Sequence, residues 1–431
     1  MQTLEFSLLV LKNLTLYLPV WIACIIIYRL LFWRTVNSIF DPLYFSVIFT
    51  NSICTANVVF LSILGDIRQY YLLSYLFSEA AMLTGILLLS KPQKFLLQPE
   101  PRPDFVRRLG VGMVVTIVLV IFANFTVYLE RGIPLLMPIR ADASGGGTGF
   151  GFMTRLSQTA MSLFVLMYYA KMKMTGVRNS LAERSMFIIT IVVGFLSGYK
   201  AFFIFFFFAY IVFRGFAPRS SFKRDLRIMI IGTILMIFIF GLVQETTDIG
   251  LAFAGLMSRL LASGDIYYMV YVDDTLKSLP TQNFFFQLSG QILASFRIID
   301  WSQAPLNYGY VVNEVVNFSD QNLGPTFRYN ILWQLLTDSP SLTVCLSFVV
   351  GLIIGGLNRI LNSFKEPGFR FILIALFYYK SFLLLLGPDQ AINDIFLTVA
   401  ILVPILFVIF LPTSVFYRSS KIRTLSLNKS L

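Results

Sequence analysis

The sequence predicts an all-α protein threaded many times through a lipid bilayer, and three observations predict it. Apolar runs long enough to cross a bilayer recur along the chain. The composition is 57% hydrophobic, 16% aromatic and only 13% charged, with a mean hydropathy of +0.77. The positive charges gather in short connectors between the runs, where they set topology, so the net charge of +12 does not imply a nucleic-acid partner. There is no histidine, which removes histidine acid–base chemistry, histidine metal sites and Ser-His triads together. Cys24, Cys54 and Cys345 lie inside apolar runs without paired spacing and read as packing residues.

Taken in order, the runs fall at about 13–33, 43–64, 71–90, 109–128, 154–171, 186–198, 200–213, 228–243, 341–358, 371–387 and 394–412, which gives about 11 transmembrane helices. The first is followed by many more, so it reads as a span and not as a cleaved signal. Connectors 91–108, 171–185, 214–227 and 359–370, the tail, and Arg29 with Arg34 hold most of the 34 Lys and Arg residues. By the positive-inside rule they are cytoplasmic, which places the N-terminus outside and the C-terminus inside. Three parts follow: an N-terminal bundle over 1–243 with an outer loop at 129–153, a large outer segment over 244–339, and C-terminal helices with a cytoplasmic tail over 340–431.

Two connections stand out. The apolar stretch 186–213 has basic flanks at both ends yet is too short for two full crossings. The step Leu196-Ser197-Gly198-Tyr199-Lys200 therefore reads as the tip of a pair of short helices, with Lys200 lining a cavity open to the outside; one long tilted helix with a snorkelling lysine is the alternative. The loop 129–153 carries Arg140 and then glycines at 145, 146, 147, 149 and 151. Such a run suits backbone N–H groups approaching an anion, or equally a plain loop tip.

The segment 244–339 is too long to be a simple connection. It holds Glu245, Asp248, Asp265, Asp273, Asp274, Asp300, Glu314, Asp320 and Asp338 against Arg259, Lys277, Arg297 and Arg328. Residues 251–272 and 284–299 read as interfacial helices, because Arg259 and Asp265 would be costly in a span; short helices and turns should fill the rest. Arg140, Lys200, Arg259, Arg297 and Arg328 are the outer-side cations expected to bind a diphosphate through guanidinium forks and ammonium charge. Asp265 is either a general base whose pKa burial would raise, or a partner that orients an arginine. The pair Asp273-Asp274 reads more readily as a solvated helix end than as a metal site, and no metal or cofactor is expected. Lys380 lies mid-span, either facing a cavity or snorkelling. Gly387-Pro388-Asp389 sits at the outer end of that span and could join the rim.

These features resemble the O-antigen polymerase and oligosaccharide repeat-unit polymerase family. The resemblance rests on the multi-span architecture and on an Arg followed by a Gly in each of two outer loops. Here those are Arg140 with Gly151, and Arg297 with Gly309 or Arg259 with Gly264. The Ser197-Gly198-Tyr199-Lys200 step is similar to one in that family and in O-antigen ligases. The resemblance implies a membrane-embedded glycosyltransferase of the C type in a bacterial inner membrane. It would join undecaprenyl-diphosphate-linked oligosaccharides on the periplasmic face by inverting transfer and release undecaprenyl diphosphate, with a chain-length regulator as a further partner. Arg140, Arg259 and Asp265 are then the expected catalytic residues, and Lys200, Arg297, Arg328, Tyr199 and Gly151 bind diphosphate and glycan. A lipid-linked oligosaccharide flippase and an O-antigen ligase are the alternatives. The missing histidine argues against the ligase, and the long outer segment without internal repeat argues against the flippase.

Overall fold

In a computed structural model the apolar periodicity becomes helix throughout: among the described residues there is no strand. Described are residues 2–36, 38–92, 103–137, 150–175, 180–197, 200–214, 227, 230, 261–305, 307–317 and 327–410. The first half comprises Gln2–Lys12 (α1), Leu14–Leu31 (α2), a π-helical turn at Tyr44–Asn51 that runs on into Ser52–Leu64 (α3), Gln69–Leu89 (α4), Pro103–Arg131 (α5), Phe150–Thr175 (α6), Leu181–Leu196 (α7) and Lys200–Arg214 (α8). The second half comprises Ile266–Tyr271 (α9), Phe284–Ser295 (α10), Tyr308–Asn317 (α11), Tyr329–Thr337 (α12), Pro340–Leu361 (α13), Phe369–Ser381 (α14) and Pro388–Phe410 (α15).

Among the described residues, six helices are long and apolar enough to cross a membrane: α2, the π-turn with α3, α4, α5, α13 and α15. The expectation of about eleven is met to that extent. Of the remaining expected spans, α6 is interrupted by Arg155, Lys171 and Lys173, while α7, α8 and α14 are 16, 15 and 13 residues long. The run at 228–243 lies, but for Ile230, outside the described residues.

Local chemistry sets the boundaries. Gly65 closes α3 at φ +80°, its N–H bonding the Ser62 carbonyl while that of Asp66 bonds Leu61, so the chain turns directly into α4. Ser180 caps α7 reciprocally with Glu183. The closest packing of the bundle joins α4 to α13, where Gly85 meets Gly351 and Gly355. A Cβ on Gly355 would stand 2.6 Å from the Ile86 carbonyl oxygen, so only glycine permits this approach.

α7 and α8 are not one continuous helix. Phe187 and Phe206 have ring centroids 4.8 Å apart, whereas one continuous helix would separate them by roughly 28 Å. The two short helices therefore fold back on one another. Several basic connectors meet at one end of the bundle. There Phe105 packs on Phe369, Phe213 on Phe371, Arg108 lies over Phe410, and Asn358 and Asn362 bond the backbone of Lys91.

Segment 261–337 differs from the expected interfacial cap. Residues 261–272 do not lie on the surface: Ile266, Tyr267, Met269, Val270 and Tyr271 are all buried against α3 and α4, with Tyr71 stacked on Tyr271 and Tyr75 on edge to Tyr267. An uninterrupted apolar face on a six-residue helix can only be satisfied inside the bundle. α10 packs along α15.

Candidate functional site

Among the described residues, Glu79, Asp394 and Asp41 each centre a buried polar cluster that joins helices, and the clusters differ in charge. The first surrounds Glu79 of α4. Its Oε1 accepts hydrogen bonds from the Tyr28 hydroxyl of α2 at 2.7 Å and the Asn51 amide of the π-turn at 2.9 Å; its Oε2 accepts from the Tyr329 hydroxyl of α12 at 2.7 Å. Thr55 links Tyr28 to Tyr75. Next to this cage, Arg328 is 1% exposed and donates to the Ser263 carbonyl at 3.0 and 3.2 Å and to the Cys54 sulfur at 2.7 Å.

The second cluster joins Arg155 of α6, Lys380 of α14 and Asp394 of α15. Lys380 Nζ lies 2.6 Å from Asp394 Oδ2, and Arg155 Nη1 pairs with Asp394 Oδ1. The Lys380 and Asp394 side chains are 9% exposed, Arg155 30%. Two neighbouring residues of α15 tie this point to α10: Asp389 accepts from Gln287 at 2.8 Å and Asn393 donates to Gln291 at 3.2 Å. The cluster thus sits close to the contact of α15 with α10. It also lies toward the end of α14 remote from the basic connector at 359–370, with Lys380 eleven residues beyond Phe369.

The third cluster is at the basic end. Asp41, in the turn before the π-helix, accepts from the Leu43 N–H at 2.9 Å and the Tyr378 hydroxyl at 3.2 Å, and Asn358 and Asn362 continue the chain to Lys91. Burial pushes the Asp41 carboxyl up to about 6, with the Leu43 and Tyr378 bonds pulling the other way.

The residues singled out from sequence are scattered among these places. Arg140, Arg259 and Tyr199 lie outside the described residues. Lys200 begins α8, and Phe205 five positions on packs against Tyr379, so the start of α8 lies toward the same end as Lys380. Gly151 stands in the first turn of α6, one turn before Arg155. Arg297 is exposed just past α10 at φ +57°.

Arg328 requires correction. It is expected at the outer face; instead it is buried and donates to the Ser263 carbonyl and the Cys54 sulfur, which braces α3 against the 261–272 segment. Asp265, read from sequence as an embedded carboxylate, is 2% exposed and lies beside the same Cys54. Asp274 pairs with Arg68 and Lys277, as a charged turn would. Lys380 points into the bundle and does not snorkel.

Sequence reasoning passed over Glu79, Arg155, Asp394 and Asp41. Each of the first three is a lone charge inside an apolar run, which marks a group that needs an internal partner. Among the described residues no group of three or more metal-ligating side chains gathers. Comparison with family models, curated proteins and solved structures gives no match.

Proposed function

We propose that this protein is a membrane glycosyltransferase that polymerises oligosaccharide repeat units carried on undecaprenyl diphosphate, at the face of the membrane opposite the basic connectors. The observation that carries this reading is the meeting of two cations, Arg155 and Lys380, on one carboxylate close to α10. Glycosyl transfer from a lipid diphosphate needs positive charge where the membrane-embedded carrier meets the water-facing glycan, because the diphosphate gains negative charge as it leaves. We assign that positive charge to the Arg155–Lys380 cluster.

In this reaction an acceptor hydroxyl oxygen attacks the anomeric carbon as the bond from that carbon to the phosphate oxygen breaks. The bonding pair leaves with the diphosphate, and the hydroxyl proton passes to solvent water. Asp265, 2% exposed and beside Cys54, is too enclosed to meet an acceptor. Arg297, exposed at the end of α10, is placed to contact glycan.

The charged cluster within membrane-length helices also favours a second reading, translocation of the same lipid-linked glycan. One experiment separates them. Purified protein is given synthetic undecaprenyl-diphosphate repeat units in detergent without nucleotide sugar, and separately reconstituted into liposomes. A glycan ladder on a gel, lost in Arg155→Gln and Arg140→Ala, is the expected result. Translocation in liposomes with no ladder from the cognate repeat unit would replace the polymerase reading with the flippase.

A further inference from the structure

Among the described residues, two basic side chains, Arg155 and Lys380, face one carboxylate, Asp394, and no other acid forms an ion pair with either. The next acid on α15, Asp389, is five residues away and therefore about 140° around the helix, turned to Gln287 of α10. An uncompensated charge in a low-dielectric interior is costly, and proteins hold such charges in pairs or expose them to a counter-ion. Here the cations differ in access. Lys380 is enclosed, whereas Arg155 is 30% exposed and uses one nitrogen of its fork on Asp394. A guanidinium carries five N–H donors in a plane suited to two oxygens of a phosphate.

We infer that Arg155 and Lys380 form a seat for a phosphate or diphosphate group, in which Asp394 is the internal counter-ion that the ligand joins or displaces at Arg155. This rests on the glycosyltransferase reading for the identity of the carrier lipid, but the charge argument for an anion stands apart from it. Asp394 spaces the two basic groups, so a tetrahedral anion entering from the Arg155 side meets a guanidinium held in place by one nitrogen, with further N–H donors not used on Asp394. Three sources share that chemistry: a polyprenyl diphosphate, an anionic phospholipid headgroup, and free inorganic diphosphate.

The test uses the full chain in phosphatidylcholine nanodiscs, with binding measured by calorimetry and stability by thermal unfolding. The probes are undecaprenyl diphosphate, inorganic diphosphate and nanodiscs containing phosphatidylglycerol. Arg155→Gln and Lys380→Met each leave a neutral pair on Asp394 and should fold. They should weaken binding of the active probe by about tenfold or more. Asp394→Asn leaves two cations together; it should melt lower than wild type and gain more melting temperature from the ligand than wild type does. Whichever probe binds identifies the source. Affinity for all three probes unchanged in both Arg155→Gln and Lys380→Met would overturn the seat, as would absence of binding by any of them. A full glycan ladder from both variants removes the seat and leaves the glycosyltransferase. Binding lost in the variants, with no ladder from the wild type, leaves the seat and removes the glycosyltransferase.

Discussion

The Glu79 cage and the Asp394 cluster solve the same problem in opposite ways. Each buries one carboxylate among helices far apart in sequence. Glu79 is satisfied by three neutral donors, two hydroxyls and an amide, and is sealed in the core. Its neighbour Arg328 donates through Nε and Nη2 to a carbonyl and a sulfur. Asp394 is held by two cations, one of them accessible. The first sets a carboxylate among neutral donors; the second sets two basic side chains on one carboxylate, with Arg155 the more exposed of the two. A buried acid satisfied by neutral donors is a clasp, and one outnumbered by cations is a place for an anion. The contrast between the two is open to direct measurement.

The strongest test is Glu79→Ala. It strips three hydrogen bonds at once and leaves the donors of Asn51 and Tyr329 enclosed without their acceptor, in a cavity. We expect a loss of roughly 3–5 kcal/mol, read from unfolding in mixed micelles. Glu79→Gln, which keeps one acceptor oxygen, should lose about half as much. Glu79→Ala unfolding within about 1 kcal/mol of wild type would show that the cage is not a clasp.

Asp41 tests the intermediate case, a buried acid with two neutral donors and no ion pair among the described residues. Its carboxyl titrates near 6 in the folded chain against 3.8 for the ordinary group, with burial as the main cause. A raised pKa means that the native state holds the proton more tightly. Stability is therefore greatest below about pH 4 and falls as pH rises toward 6, by up to about 3 kcal/mol. Asp41→Asn should abolish that part of the slope. Unfolding free energies of both proteins at pH 4 and pH 7 measure it; equal slopes would mean that water reaches Asp41.

How far the sequence made this legible follows from what kind of signal each feature leaves. Long apolar runs were readable because the bilayer length is a property of one segment, and α2 to α5, α13 and α15 lie where expected. The turn at Ser197 was readable because a polar, glycine-bearing step in a short apolar stretch is also local. Pairing is not local. Arg155 meets Asp394 across 239 residues and Glu79 meets Tyr329 across 250, so nothing near either charge names its partner. Arg328 misled for the same reason. In a segment rich in acids it reads as outward, while the groups that enclose it include Cys54 of α3, far back in the chain. A lone charge in an apolar run, as at Glu79, was the available sign, and it marks a buried partner without saying which.

The smallest expected effect sharpens the comparison most. Arg155→Gln removes a side chain that is 30% exposed and leaves Lys380 against Asp394 as one positive and one negative charge. Partly exposed ion pairs contribute little, about 0–1 kcal/mol, and here the removal also relieves the repulsion between the two cations. Unfolding should therefore shift by no more than about 0.5 kcal/mol in either direction, although Arg155 takes part in a buried cluster as Glu79 does. That near-neutrality is what distinguishes a residue kept for a ligand from one kept for the fold. A loss as large as 2–3 kcal/mol would place Arg155 with Arg328 as a brace. The second basic side chain on Asp394 would then be a cost of packing α6 against α15, and the two clusters would be variants of one structural device.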